Sequence, residues 1–182
     1  TTINNSSLPN EFANFEIGFI SDINLQNSSD ITRLEKIVTS LNNQHVDMVI
    51  FGGDLFTDIP FDNEKVIEVL SNIKSSYGKF AVLGEKDLAS LNDVTSILSE
   101  GGFEVLHNEY RTIYFNNATI GLFGLESSGD ISGLINENNQ DIYKLVAVHE
   151  PDYFDTTAKS NIALQLSGHT MGGYIYLPGI GG

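Results

Sequence analysis

Two spacings of apolar residues alternate along the first hundred positions of the chain. Short, nearly continuous runs (FEIGFIS at 15–21, MVIFG at 48–52, FAVL at 80–83) have the length and composition of buried strands. Between them apolar residues recur every three or four positions. One stretch carries Ile31, Leu34, Ile37, Val38 and Leu41, and the next carries Val66, Ile67, Val69, Leu70 and Ile73. A shorter one near 94–100 is ended by Gly101-Gly102. These stretches predict helices over about 29–42, 63–74 and 94–100, the first capped by Ser29 or Asp30. Strand–helix–strand alternation argues for parallel pairing with the helices outside.

The second half changes character. Runs at 103–106, 111–115 and 119–124 leave little room for helices between them, and Asn116-Asn117 is a hairpin-turn signal. The stretch 126–140, rich in Ser, Gly and Asn, reads as a loop or weak helix. Runs at 144–148 and 163–167 then resume the buried pattern. The expectation is an α/β protein of two sheets packed face to face, with helices outside. Residues 1–14 read as a polar linker and 15–182 as one domain. A further strand-like run, Tyr174-Ile175-Tyr176-Leu177-Pro178, precedes Gly182 closely, so the domain reads as cut short there.

Five of the apolar runs stop at a residue able to bind a metal: Asp22, Asp54, Glu85, His149 and His169. In open α/β sheets ligands gather beyond the carboxyl ends of the strands, so parallel strands would bring these five to one edge. Carboxylates and imidazoles together suit a divalent ion such as Mn, Fe or Zn. Taken alone, Asp22 is more simply a turn or helix cap, and Glu85-Lys86-Asp87 a solvated charge run. The shared position of all five favours ligation.

Charge narrows the partners. The 182 residues carry a formal charge of −15 with only nine Lys and Arg, which excludes nucleic acid because phosphates along a backbone could not be neutralised. A small phosphorylated substrate remains compatible, since a bound metal inverts the local field. Cysteine is absent, so there are no disulfides and no thiolate ligands. No stretch approaches the twenty or so apolar residues that span a bilayer. The polar start Thr1-Thr2-Ile3-Asn4-Asn5-Ser6-Ser7 lacks an initiator Met and reads as trimmed, with any membrane tether lying ahead of it.

The five blocks, Asp22-Ile23-Asn24, Gly53-Asp54, Gly84-Glu85-Lys86-Asp87, His149 and Gly168-His169-Thr170-Met171-Gly172-Gly173, resemble those of the calcineurin-like metallophosphoesterases. That family's blocks are Asp-x-His, Gly-Asp, Gly-Asn-His-Asp, a lone His and Gly-His-x-His, in this order. Leu8-Pro9 ahead of the first run, and Gly-Gly after the last block, look most like the bacterial membrane-anchored branch. A bacterial, extracytoplasmic, membrane-anchored domain is therefore expected, with a cytoplasmic one as the alternative. The resemblance implies a four-layer α/β/β/α sandwich that hydrolyses phosphate esters with two metals sharing the Gly-Asp carboxylate.

Carried across residue by residue, the resemblance gives one site to Asp22, Asn24, Asp54 and Met171, and the other to Asp54, Glu85, His149 and His169. The first is weakened, because an amide replaces an imidazole at Asn24 and the Met171 thioether suits copper(I) rather than Mn or Zn. One divalent ion is expected, with two as the alternative. Lys86 stands where the family has the histidine that helps protonate the leaving group, so Lys86 and Asp87 are the candidate catalytic pair. An ammonium at Lys86 beside Asp22 and Asp54 would also replace a missing cation. The implied function is a metal-dependent phosphoesterase with one impaired site and reduced activity on a small phosphomonoester, phosphodiester or lipid headgroup. The alternative is a non-catalytic descendant that keeps the fold and at most one metal and serves as a binding module. Asp54, His149 and His169 argue against a purely structural, metal-free protein.

Overall fold

The computed structural model describes residues 1–57, 62–126, 129–136 and 139–170. Strands Ile17–Ile20 (β1), Met48–Phe51 (β2), Lys79–Ala81 (β3) and Glu104–Val105 (β4) form one parallel sheet in that order. Strands Glu109–Phe115 (β5), Ala118–Leu125 (β6), Tyr143–Val148 (β7) and Leu164–Leu166 (β8) form the second. There β5 and β6 are the antiparallel hairpin expected at Asn116-Asn117, and β6, β7 and β8 run parallel.

The continuous apolar runs follow from having a packed layer on each face. In β2, Val49 and Phe51 pack against helices, while Met48 and Ile50 pack against the second sheet. The same alternation places Ile120 and Leu122 of β6 between the sheets and sends Phe123 and Leu125 to the outer face. Helices Ser28–Gln44 (α1), Asn63–Ser71 (α2) and Leu91–Glu100 (α4) cover the first sheet, burying Leu34, Val38, Val66, Leu70, Val94 and Leu98. The other outside layer is thin, built from a turn of 3-10 helix at Ile131–Leu134 and the segment around Phe154–Thr157 (α5). The architecture is the two-sheet α/β sandwich read from the sequence.

Local details differ from that reading. Helix α1 is capped by Asn27, whose side chain accepts from Ser29 N, while the Asp30 carboxylate returns to Asn27 N. His45 closes α1 through its backbone in the left-handed region (φ 56°). Among the described residues two short α-helices go unread in the sequence: α5, and Glu85–Leu88 (α3), which follows β3.

Residues 1–14 are not all linker. Asn10–Phe12 forms a 3-10 turn, and Phe12 is 2 % exposed between the two sheets. Phe12, Phe15, Tyr77 and Phe115 form a cluster of aromatic rings with centroids 5.0–5.6 Å apart. A single phenylalanine in a polar stretch carries no period, which is why the sequence pattern did not reveal it. Met171, Gly172, Gly173 and the strand-like run at 174–178 lie outside the described residues.

Candidate metal centre

Strands β1 and β2 do not separate when their regular pairing ends. Asp22 N donates to Gly53 O at 2.9 Å and Asn24 N to Asp54 O at 3.0 Å, so the two following loops run side by side. To make that turn the backbone enters the left-handed region at Asp22 (φ 53°), Asn24 (51°) and Asp54 (60°), and His169 does the same (64°). Asp and Asn tolerate this region better than other residues with a side chain, and such positions concentrate at functional sites. Gly53 (φ 95°) has a second reason to lack a side chain: a Cβ there would lie 2.5 Å from Gly84 N and 2.7 Å from His149 Nδ1.

Asp87, on α3, ties the loops together. It is 1 % exposed, and its carboxylate accepts from Asp54 N (2.7 Å), Leu55 N (3.0 Å) and Gly84 N (3.0 Å). Burial pushes its pKa up, against the pull of these three donors. With its oxygens taken up by backbone N–H groups, Asp87 acts here as a positioning residue for Asp54.

The second sheet contributes His149, fully buried at the end of β7. Its Nδ1 lies 2.6 Å from the Gly52 carbonyl, the arrangement of an N–H donor that leaves Nε2 as the free ring nitrogen. Among the described residues Nε2 has no hydrogen-bond partner, and it sits 3.5 Å from Asp54 Oδ2 and 4.0 Å from Asp22 Oδ1. Asp22 is held by its other oxygen, which accepts from Ser21 Oγ (2.5 Å) and His169 N (3.0 Å). Asp22, Asp54 and His149 thus each offer a ligand atom within 4.8 Å of one another. Two hard oxygens, one imidazole nitrogen and a carbonyl fixing the ring's far side suit a divalent cation, and a buried Nε2 that faces two carboxylates fits one.

Lys86 stands on the other side of Asp54. Its Nζ is 2.8 Å from Asp54 Oδ2 and 2.8 Å from Asn24 Oδ1, and its backbone N lies 3.3 Å from Asp54 Oδ1. Glu85 and His169 are exposed and face each other, with 3.5 Å between Oε2 and Nδ1, at the rim of the cluster rather than within it. The His169 ring meets that of His149 edge-on at 5.4 Å. Beside these residues opens a polar cleft of about 450 Å³ lined by Asp22, Asn24, Arg33, Thr57 and Lys86 among others. Arg33 reaches it from α1, held by the carbonyl of Ile23 at 2.5 Å. Sequence reasoning missed Arg33 because it sits on the polar side of an ordinary amphipathic helix. It missed Ser21 and the Gly52 carbonyl because their contacts depend on how the loops close.

The charges are strongly coupled. Burial would push the Asp54 carboxyl up, but its contacts with His149 and Lys86 outweigh that and hold it at about 2. Burial would push His149 down, but Asp54, the Gly52 carbonyl and the charge on Asp22 raise it from 6.5 to about 9. These values describe one ion pair seen from its two partners. A histidine raised on folding stabilises fully below pH 6.5 and loses that contribution as pH climbs through about 9. The depressed Asp54 stabilises above its ordinary 3.8 and loses that as pH falls toward 2. Chelated protein should therefore melt lower as pH rises from 6.5 to 9, by roughly 5 °C. A metal held by His149 would take the proton's place on Nε2, so saturating metal should then flatten that fall. Equal slopes with and without metal would show that His149 is not a ligand.

No protein-family model matches the chain. It is 29 % identical over 186 residues to the uncharacterized metallophosphoesterase YkuE of Bacillus subtilis, covering 97 % of this chain and 65 % of YkuE. It is 28 % identical over 182 residues to the uncharacterized metallophosphoesterase Cj0846 of Campylobacter jejuni, covering 93 % of this chain and 47 % of that protein. The chain thus spans about half to two thirds of these relatives. Its fold is similar to the crystal structure of TT1561 of Thermus thermophilus, with a TM-score of 0.55 at 13 % identity over 83 % of this chain and 80 % of that one. Over nearly its whole length the chain is thus similar in sequence to proteins named metallophosphoesterases.

Proposed function

We propose that the chain hydrolyses phosphate esters with one divalent metal held by Asp22, Asp54 and His149, at a centre whose second metal position is impaired. The observation that carries this is His149 Nε2, buried, without a hydrogen-bond partner among the described residues and directed at two carboxylates, with its Nδ1 fixed by a carbonyl. Metal bound there supplies a Lewis acid for the phosphoryl oxygens and makes water more acidic. Hydrolysis breaks the ester P–O bond: water's oxygen goes to phosphorus and one of its protons to the departing oxygen.

The chain's own side chains orient and balance charge. The Lys86 ammonium borders the cleft, and Arg33 adds a second cation within reach of a phosphate's outer oxygens. The hydrogen bond to Asp54 raises the pKa of Lys86. Lys86 therefore keeps its proton and stabilises negative charge better than it donates to a leaving group. A cleft this size fits a small phosphomonoester or phosphodiester, or the headgroup of a lipid. Among the described residues no helix is long and apolar enough to cross a membrane.

A second reading has its own support. The contact of Lys86 with Asp54 and Asn24 fills space that hydrolysis by two metals would need, as expected of a binding module descended from an enzyme. The two readings part in one assay. Protein loaded with Mn is mixed with para-nitrophenyl phosphate and with its bis-ester, and released nitrophenol is followed. Hydrolysis predicts turnover that chelation abolishes and His149→Ala lowers by about 100-fold or more. A protein that holds one metal per chain yet turns over neither ester, with Mn, Fe or Zn, is the binding module.

A further inference from the structure

We infer that the Lys86 ammonium is the second cation of this centre, sharing Asp54 with a single divalent metal and taking the place of a second one. The inference rests on the metal reading of Asp22, Asp54 and His149 given above. Asp54 Oδ2 is approached from two sides, by Lys86 Nζ at 2.8 Å and by His149 Nε2 at 3.5 Å. Asp54 thus faces Lys86 on one side and, on the other, Asp22 and His149, with which it would hold a divalent metal.

The second position is built for an ammonium. Besides Asp54, Nζ meets the side-chain oxygen of Asn24 at 2.8 Å. A neutral amide oxygen is a weak metal ligand but a good acceptor for a lysine head, which has three donors and no acceptor. Asn24 is in turn oriented by its own NH2, which donates to Asp22 O at 3.0 Å. Lys86 is rooted in α3, whose start is pinned by Asp87 to the Asp54 loop. Asn24 and Lys86 are thus partners, 62 positions apart in sequence and in contact in space. Each makes sense only with the other.

The chemistry follows from two cations on one carboxylate. Paired cations a few ångströms apart can clamp both the attacking and the departing oxygen of a phosphoryl group. Here one member is a fixed point charge that needs no loading from solution, cannot be chelated and has no coordination sites for water. It can balance charge on a phosphoryl oxygen, but activation of water falls entirely to the single metal.

The test is metal stoichiometry, read by elemental analysis of Mn-loaded protein and by electron paramagnetic resonance. Wild type should hold one Mn per chain with an uncoupled single-ion spectrum, and Lys86→Arg should hold the same. The double variant Lys86→Met with Asn24→His, which removes the ammonium and restores an imidazole, should double the ratio to two and give a spin-coupled spectrum. If wild type already holds two coupled Mn ions, the inference is overturned. So it is if the folded double variant stays at one. Should the double variant fail to fold, the Lys86 ammonium resonance in 15N-labelled wild type decides. It should persist, slowed in exchange, when diamagnetic Zn is bound, and its loss on loading would mean that the metal displaces it. None of these readouts needs turnover, so an inactive protein with one metal and a retained ammonium would defeat the hydrolysis reading and leave this one standing.

Discussion

Replacing Asp54 by Asn should weaken metal uptake by at least about 100-fold and lower stability by roughly 3–5 kcal/mol. The substitution is close to a pure charge deletion, because Asn has the same size and tolerates the left-handed backbone that Asp54 adopts at φ 60°. What it removes is a carboxylate, 1 % exposed, that lies 2.8 Å from Lys86 Nζ and 3.5 Å from His149 Nε2. His149 then loses its partner in a place water reaches poorly, whereas Lys86 at the cleft keeps access to solvent. Breaking such a pair costs more than the pair ever contributed, since the surviving buried charge stays desolvated. At neutral pH part of the loss will be recovered, because His149 without Asp54 gives up its proton. Urea denaturation of chelated protein measures the first effect and Mn titration the second. Unchanged uptake would mean that Asp54 is not a ligand.

The second large effect comes from a residue that touches no metal. Asp87→Ala leaves three buried N–H groups, those of Asp54, Leu55 and Gly84, without acceptors. Each orphaned donor costs about 1–3 kcal/mol, and with some relaxation the total should reach roughly 3–5 kcal/mol. Asp87→Asn keeps one acceptor oxygen and should fall about midway. Because the three donors lie on the loops that carry Asp54 and Lys86, Mn affinity should fall in step with stability. A variant that unfolds more easily but binds Mn as tightly as wild type would show that Asp87 supports the fold without positioning the site.

Much of the architecture is legible in the chain because burial on two faces leaves a simple trace. Strands β2 and β7 are apolar nearly throughout, and parallel pairing then dictates that whatever follows them meets at one edge. That logic alone gathers Asp22, Asp54 and His149. It does not tell which strand-end residues point inward. Glu85 and His169 occupy the expected loops yet meet each other at the rim, because α3 begins at Glu85 and turns its side chain outward while Lys86 turns inward. The helix is only four residues long, too short to show a period. The role of Asp87 is likewise silent in sequence: three backbone N–H groups from two loops have no residue identity to announce them. Phe12 was missed for the opposite reason, as one apolar residue in a polar setting whose partners, Phe15, Tyr77 and Phe115, are scattered along the chain.

The aromatic cluster around Phe12 also fixes which way the domain faces. It sits where β1 and β3 begin, whereas the candidate metal ligands Asp22 and Asp54 stand where β1 and β2 end. A load applied ahead of Phe12, whether by a resin, an optical bead or a lipid bilayer, would therefore pull on the pole opposite the cleft. Coupled to a surface by that end, the domain would present its mouth outward to the medium, with the rings at its base acting as the footing.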